Sequence, residues 1–145
     1  MTAENLFSIC NFIAMGGWLL LLLAPRKRWA SITVAGMAIP LVLAGVYSFL
    51  LLTRWGEGTG GFSSLAGVAS LFSNQWLLLA GWIHYLAFDL FIGAWEVRDS
   101  VESNVPHAMV VPCLILTFLF GPVGLSCYLG LRYVRRRGLH IDGVQ

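Results

Sequence analysis

Four long apolar runs dominate the chain and limit what it can fold into. They cover residues 6–24, 32–52, 76–95 and 108–131, and each is 19 to 24 residues long. At a rise of about 1.5 Å per residue, a helix of that length crosses the hydrocarbon layer of a bilayer, which is roughly 30 Å thick. Backbone groups find no water in that layer, so a spanning segment is a helix or part of a closed barrel. The runs lack the strict alternation of barrel strands, and helices are therefore predicted.

The composition agrees with a membrane protein. Hydrophobic residues make up 58% of the chain and charged residues 11%, and the mean hydropathy is +0.78. A soluble domain would carry about 25% charged residues. We therefore predict an all-α, integral membrane four-helix bundle that forms a single domain over residues 1–145. Residues 1–5 carry no positive charge and the run behind them is too long for a signal peptide, so the first run is predicted to be a retained span.

The longest connection, residues 53–75, separates the second and third runs. The glycines at positions 56, 58, 60 and 61 follow an apolar helix rather than a strand, which argues against a phosphate-binding loop. Residues 62–73 are too few to span, and they predict a short interfacial or re-entrant helix between spans two and three. Within the second run, Pro40 removes a helical hydrogen bond and predicts a kink.

The basic residues do not fix the orientation of a four-span chain. Four crossings place the cluster at residues 26–28 and the cluster at residues 132–137 on opposite sides, with five Lys and Arg residues against four. A further crossing by residues 62–73 would bring both clusters to one side, and this alternative stays open. The basic C-terminal segment is predicted to contact anionic lipid headgroups rather than nucleic acid.

The third run carries ionisable groups at membrane depth, namely His84, Tyr85 and Asp89. Inserting a helix with an aspartate at its centre into a membrane costs roughly 2.5–3.5 kcal/mol, so such a residue is expected to have a hydrogen-bond partner or a function. Tyr85 and Asp89 are one helical turn apart, and the phenol is predicted to donate to the carboxylate. His84 lies on a stripe about 140° away. Asp89 either transfers protons or binds a ligand, or it makes an interhelical hydrogen bond. His84 likewise either has such a functional role or forms a hydrogen bond to a neighbouring helix, for which Asn11 is an available partner.

An acidic segment at residues 96–102 is predicted to be a loop that follows the third span. Asp99 in this loop and His107 beyond it would, with His84 and Asp89, form a ligand set compatible with zinc or non-haem iron. Their spacing matches no local metal motif, so the prediction is a site without metal or other cofactor. The three cysteines lie in apolar runs without C-x-x-C spacing and are predicted to pack as small hydrophobic residues.

Gly121 and Pro122 interrupt the fourth apolar run. A proline after a glycine breaks the ladder of helical hydrogen bonds and exposes carbonyls, which a bundle tolerates where protein covers them or where they line a cavity. The break therefore predicts either a pocket wall or a packing kink. Aromatic residues in the third and fourth runs are candidates to bind an elongated apolar ligand together with Pro122. The predicted substrate-binding residues are Trp82, Phe88, Trp95, Phe118 and Pro122.

Two passages, residues 81–93 and 112–124, together resemble the ABA-deficient-four-like family. The resemblance covers nearly the whole chain. It implies an integral membrane protein related to neoxanthin synthesis, in which the epoxy-carotenoid violaxanthin becomes the allenic neoxanthin. The chain starts directly at its first span, as a bacterial member would, and the predicted location is the bacterial inner membrane.

The chemistry implied by the resemblance is an isomerisation that needs an acid and a base but no redox cofactor. Removal from water favours the neutral forms of carboxyl and imidazole groups, which suits proton exchange at neutral pH. Asp89 and His84 are the predicted acid and base, in either order, and Tyr85 is predicted to orient Asp89. The predicted partner is a carotenoid or another long isoprenoid, and a homo-oligomer stays open. The alternative is a non-catalytic protein that binds such a lipid or assists another membrane enzyme.

Overall fold

The described part of the chain is entirely helical apart from turns and connections. The computed structural model describes residues 2–24, 27 and 29–142, of which residues 30–32 and 136–142 are described by their backbone alone. No strand occurs among these residues, which confirms the predicted all-α class. The α-helices are α1 (Ala3–Leu23), α2 (Ile39–Arg54), α3 (Leu65–Phe72), α4 (Gln75–Glu102), α5 (His107–Phe120) and α6 (Pro122–Asp142).

Three helical segments are long and apolar enough to cross a membrane. They are Ala3–Leu23, Thr33–Glu57 and Gln75–Glu102, and α5 is a shorter apolar helix. The second segment begins as a π-helix, Trp29–Ala38, and continues directly into α2. The winding changes next to Pro40, where we predicted a kink, because this proline has no N–H for the carbonyl of Gly36. These segments support a helical membrane bundle.

A short helix does separate the second and third spans, as predicted. The side chain of Ser64 caps α3 by accepting a hydrogen bond from the Gly67 N–H at 3.0 Å. Leu71 on α3 is buried, and Phe72 lies against Gly81 of α4. The eight residues of α3 therefore pack on the bundle and do not add a crossing.

The longest helix, α4, is the centre of the bundle, since it packs against all five other α-helices. Ile83 and Leu90, both fully buried, belong to its two hydrophobic clusters. The prediction of a loop at residues 96–102 is wrong, because α4 continues through Glu102. The acidic residue Asp99 is tolerated on this helix because it is paired with Arg132 at 2.7 Å.

The predicted fourth span, residues 108–131, is not one continuous helix. The chain breaks at Gly121, whose φ of +43° is a backbone conformation that other residues rarely adopt. After this break α6 returns alongside α5 in the antiparallel direction. Gly124 lies directly on the backbone of Thr117, and Arg135 contacts the sulfur of Met109 at 2.8 Å. The predicted helix break is therefore a reversal of the chain.

The reversal settles the arrangement of the basic residues. His107 Nε2 lies 3.2 Å from the carbonyl of Leu22, which places the end of α1 beside the start of α5. Because α6 returns to the same end, the described basic residues Lys27, Arg98, Arg132 and Arg135 share it, and we call it the basic end. Arg54 lies at the other end of the bundle, paired with Glu57.

The basic end thus holds the described residues of both basic clusters without a crossing by residues 62–73. Arg26 and Arg28 of the first cluster lie outside the described residues, as does Pro25, which was predicted to stop the first helix. By the positive-inside rule, the basic end is expected to face the side from which the protein is inserted.

A test of the reversal uses single cysteines in a chain whose own cysteines are replaced. We expect Lys27→Cys and Val134→Cys to be protected from an impermeant maleimide added outside sealed cells, and Ser63→Cys to be labelled. Lys27 lies at the basic end, Val134 is near the end of α6, and Ser63 is exposed before α3. Labelling of Lys27→Cys and Val134→Cys from opposite sides would show one continuous fourth span instead.

A test of the α5–α6 contact replaces Gly124 by alanine. An ideal Cβ at this position overlaps the Thr117 backbone, so we expect Gly124→Ala to lower the free energy of unfolding by about 1–3 kcal/mol. Thermal unfolding in detergent measures the change. The matched control is Gly130→Ala on the same helix, where no atom crowds the Cβ and helix propensity predicts equal or higher stability. Equal behaviour of both variants would contradict the close packing.

Candidate functional site

The candidate site lies on the face of α4 that is turned towards α1 and the α5–α6 reversal. Asp89 is in the middle of α4, about 21 Å from either end of this helix. Its carboxyl group lies over Gly121, where an ideal Cβ would be 3.0 Å from Oδ1 and 3.2 Å from Oδ2. Oδ2 is buried and has no hydrogen-bond partner within the described residues. An unpaired carboxyl oxygen therefore faces a break in the backbone at membrane depth.

Tyr85 interacts with the carboxyl group of Asp89, one turn away on α4, and it also supports the reversal. Its hydroxyl donates to the carbonyl of Phe118 at 3.0 Å. In a continuous helix that carbonyl would accept from residue 122, but Pro122 has no N–H to give. The Tyr85 hydroxyl thus contacts both the carbonyl of Phe118 and the carboxyl group of Asp89.

A second carboxyl group, Glu96, lies on the same stripe of α4 two turns from Asp89. Its side chain is fully buried, Oε1 accepts a hydrogen bond from the Thr117 hydroxyl at 2.9 Å, and Oε2 has no partner in the part of the chain that is described. The spacing of seven residues predicts that Glu96 shares the helix stripe of Asp89, although residues 96–102 were also predicted to be a loop. Its bond to Thr117 was not predicted.

His84 lies on the other side of α4, towards α2. Its ring stacks on Phe88 at 4.5 Å and meets the ring of Tyr47 edge-on at 5.6 Å. It is exposed on the protein surface. Its predicted partner Asn11 instead accepts a hydrogen bond from Trp82 at 3.2 Å. The structure therefore does not bring Asp89 and His84 together.

The four residues considered as metal ligands are also dispersed. Asp99 is bound by Arg132 and by the Tyr128 hydroxyl, each at 2.7 Å, and His107 lies against α1. No group of three or more His, Cys, Asp or Glu side chains able to hold a metal is found among the described residues. Asp99 and His107 thus connect helices at the basic end.

The predicted substrate-binding residues fall into different surroundings. Trp82 and Phe118 lie near the site, where Trp82 packs on Tyr85 and Phe118 packs on Trp18. Pro122 begins α6 at the reversal. Phe88 is on the His84 side of α4, and Trp95 packs edge-on against Tyr128. These five residues therefore do not line one pocket.

Comparison with known proteins gives one curated relative. The chain is 31% identical over 134 residues to "Protein ABA DEFICIENT 4, chloroplastic" from Arabidopsis thaliana, and the match covers 85% of this chain and 58% of the relative. The chain thus spans little more than half the length of that protein. No solved structure matches.

The relative is named as a chloroplastic protein, so this comparison does not support the predicted bacterial inner membrane. Integral membrane association itself agrees with the three apolar helices. The family described as ABA DEFICIENT 4-like matches residues 5–128, which include both recognised passages, the carboxyl stripe and the chain reversal. The chain therefore belongs to the ABA DEFICIENT 4-like family.

Proposed function

We propose that this protein isomerises an epoxide on a carotenoid or another long isoprenoid by acid–base chemistry at Asp89. The observation that supports the proposal is the unpaired Oδ2 of Asp89, held at membrane depth beside Gly121. A buried polar atom without a partner is costly, and it is expected where a ligand completes the hydrogen bonding. The family implies an epoxy-carotenoid substrate, which is soluble in the bilayer.

In the proposed reaction, Asp89 donates one proton to the substrate, and one proton is removed from the substrate. The carboxyl group of Asp89 gives its proton to the epoxide oxygen as the carbon–oxygen bond breaks. A base then removes a carbon-bound proton, and its electron pair forms the new double bond. Because the carboxylate left on Asp89 has two oxygens, it can take that proton itself and regain its starting form. The step is balanced without an oxidant or reductant.

The assignment of His84 as the base remains a prediction that the geometry does not favour. His84 and Asp89 contact different neighbours on different faces of α4. If the epoxide oxygen is hydrogen-bonded to Asp89, the carbon that loses its proton would have to lie on the opposite side of α4 to contact His84. Asp89 acting alone, with Tyr85 fixing the adjacent backbone, requires no such reach. A protein that only binds the isoprenoid is the competing function, and it requires no proton transfer at either residue.

The central test replaces Asp89 by asparagine. We expect Asp89→Asn to lower product formation about a hundredfold or more, because loss of a positioned acid–base group costs roughly 10²–10⁴ in rate. Pigments are extracted from a bacterium that makes the epoxide and expresses the variant, and they are compared at equal amounts of folded protein.

The matched control for this test is Glu96→Gln, which changes another buried carboxyl group on the same stripe of α4. We expect it to alter stability through its bond to Thr117 while product still forms. Undiminished product from folded Asp89→Asn protein would remove Asp89 from the mechanism. If the wild-type protein and both variants leave the pigment chemically unchanged, and the wild-type protein binds it, the non-catalytic function is favoured.

The role of Tyr85 is tested by Tyr85→Phe. Loss of the hydrogen bond to the Phe118 carbonyl is expected to lower the free energy of unfolding by about 0.5–1.5 kcal/mol, measured by unfolding in detergent. Product formation should fall less than in Asp89→Asn, because Tyr85 positions the backbone and does not transfer the proton. Tyr47→Phe on α2 is the control, and a stability loss as large as that of Tyr85→Phe would argue against the bond to Phe118.

A further inference from the structure

A cavity lies between the first turns of α1 and α4, at the end of the bundle opposite the basic end. Its volume is about 280 Å³. The ring of Phe7 on α1 lies 5.7 Å from the ring of Trp82 on α4. Farther along the same helices Trp18 lies against Gly93, so α1 and α4 run in parallel and begin at the same end. We call this cavity the α1–α4 cavity, and the residues that line it include Glu4, Phe7, Gln75, Leu78 and Trp82.

The α1–α4 cavity begins at the depth of the lipid headgroups. The helix α4 has 28 residues and is about 42 Å long, which exceeds the roughly 30 Å of the hydrocarbon layer. Glu4 and Gln75 are in the first turns of their helices. Trp82 follows Gln75 by about 10 Å along the axis of α4. The cavity therefore extends from the headgroups to the upper part of the acyl chains.

Glu4 places a negative charge at the mouth of the cavity. It is exposed, and it makes no ion pair within the described residues. The basic residue described at this end is Arg54, which is already paired with Glu57 at 2.7 Å and lies over the Trp76 ring at 4.7 Å. The side chain of Gln75 adds an amide carbonyl. The mouth of the cavity thus offers hydrogen-bond acceptors and an uncompensated negative charge.

The deeper wall of the cavity is aromatic and aliphatic. Phe7 is 36% exposed and Trp82 is 39% exposed, and such rings attract a cation that lies over their faces. The indole N–H of Trp82 is already donated to Asn11, so it is not available to an anionic ligand. Leu78 next to these rings is exposed and continues the apolar surface. The wall therefore suits a cationic group attached to an acyl chain.

From these observations we propose that the α1–α4 cavity binds a phospholipid whose headgroup carries a primary ammonium group. The ammonium group donates hydrogen bonds to the Glu4 carboxylate and to the Gln75 carbonyl, beside the two aromatic rings. The upper part of an acyl chain packs on Leu78. A quaternary ammonium group has no N–H to donate, and Glu4 repels an anionic headgroup, so these contacts distinguish the proposed lipid from other phospholipids of the bilayer.

This inference goes beyond the proposed function and does not depend on it. Lipid binding in the α1–α4 cavity requires no proton transfer, and Asp89 is about 10 Å farther along α4 than Trp82. Either proposal can therefore fail without the other.

The first experiment offers the purified protein equal amounts of phosphatidylethanolamine, phosphatidylcholine and phosphatidylglycerol with the same acyl chains. Bound lipid per mole of protein is measured by native mass spectrometry. We expect the wild-type protein to retain phosphatidylethanolamine in about fivefold excess over each of the others. Glu4→Gln should abolish most of this preference, a fall of about fivefold, because it removes a charge-assisted hydrogen bond.

The matched control is Glu102→Gln, which removes an exposed carboxylate at the last residue of α4, far from the cavity. It changes the net charge by the same amount and should keep the wild-type preference. An unchanged preference in Glu4→Gln, or an equal fall in Glu102→Gln, would overturn the proposal. Equal retention of phosphatidylcholine and phosphatidylethanolamine by the wild-type protein would overturn it as well.

The second experiment fills the cavity without changing a charge. Leu78 is 53% exposed and lines the cavity, whereas Ile9 on α1 is 47% exposed and does not line it. We expect Leu78→Trp to lower retained phosphatidylethanolamine about fivefold, while Ile9→Trp retains the wild-type amount. Both variants are compared at equal amounts of folded protein. Equal retention by the two variants would show that the lipid binds elsewhere.

Discussion

A chain reversal inside a membrane protein must satisfy the backbone groups that it frees, and the rest of this structure depends on how that is done. Pro122 leaves the carbonyl of Phe118 without its helical donor, and Tyr85 of α4 supplies the missing hydrogen. Gly124 then allows α6 to pack directly on the α5 backbone. The same arrangement sets the reversal against Asp89, so the feature that closes the bundle also builds the candidate site.

The helix α4 presents two different faces to the rest of the bundle. The Asp89 face contains a second carboxyl group, Glu96, and meets α1 and α5. The His84 face is apolar and meets α2, where two cavities lie. His84 and Asp89 are five residues apart, so their side chains point about 140° apart around the helix. The two polar residues therefore face different surroundings.

The basic end shows how a buried charge is made compatible with a membrane bundle. Asp99 is 7% exposed and is paired with Arg132 and bonded by the Tyr128 hydroxyl. These contacts join α6 to α4 and fix the direction in which α6 returns. Removal of one partner would leave a buried charge uncompensated, which is far more costly than loss of an exposed ion pair. The orientation of the protein in the membrane is thus linked to this internal ion pair.

The sequence by itself determined the all-helical class, the first three spans, the short helix between spans two and three, and the interruption at Gly121, because apolar run length and proline chemistry are local properties. Only the tertiary structure decided that the interruption is a reversal, that residues 96–102 are helical, and that the Tyr85 hydroxyl bonds to the carbonyl of Phe118. Those outcomes depend on partners distant in the chain, and hydropathy and helical periodicity carry no information about which distant groups meet.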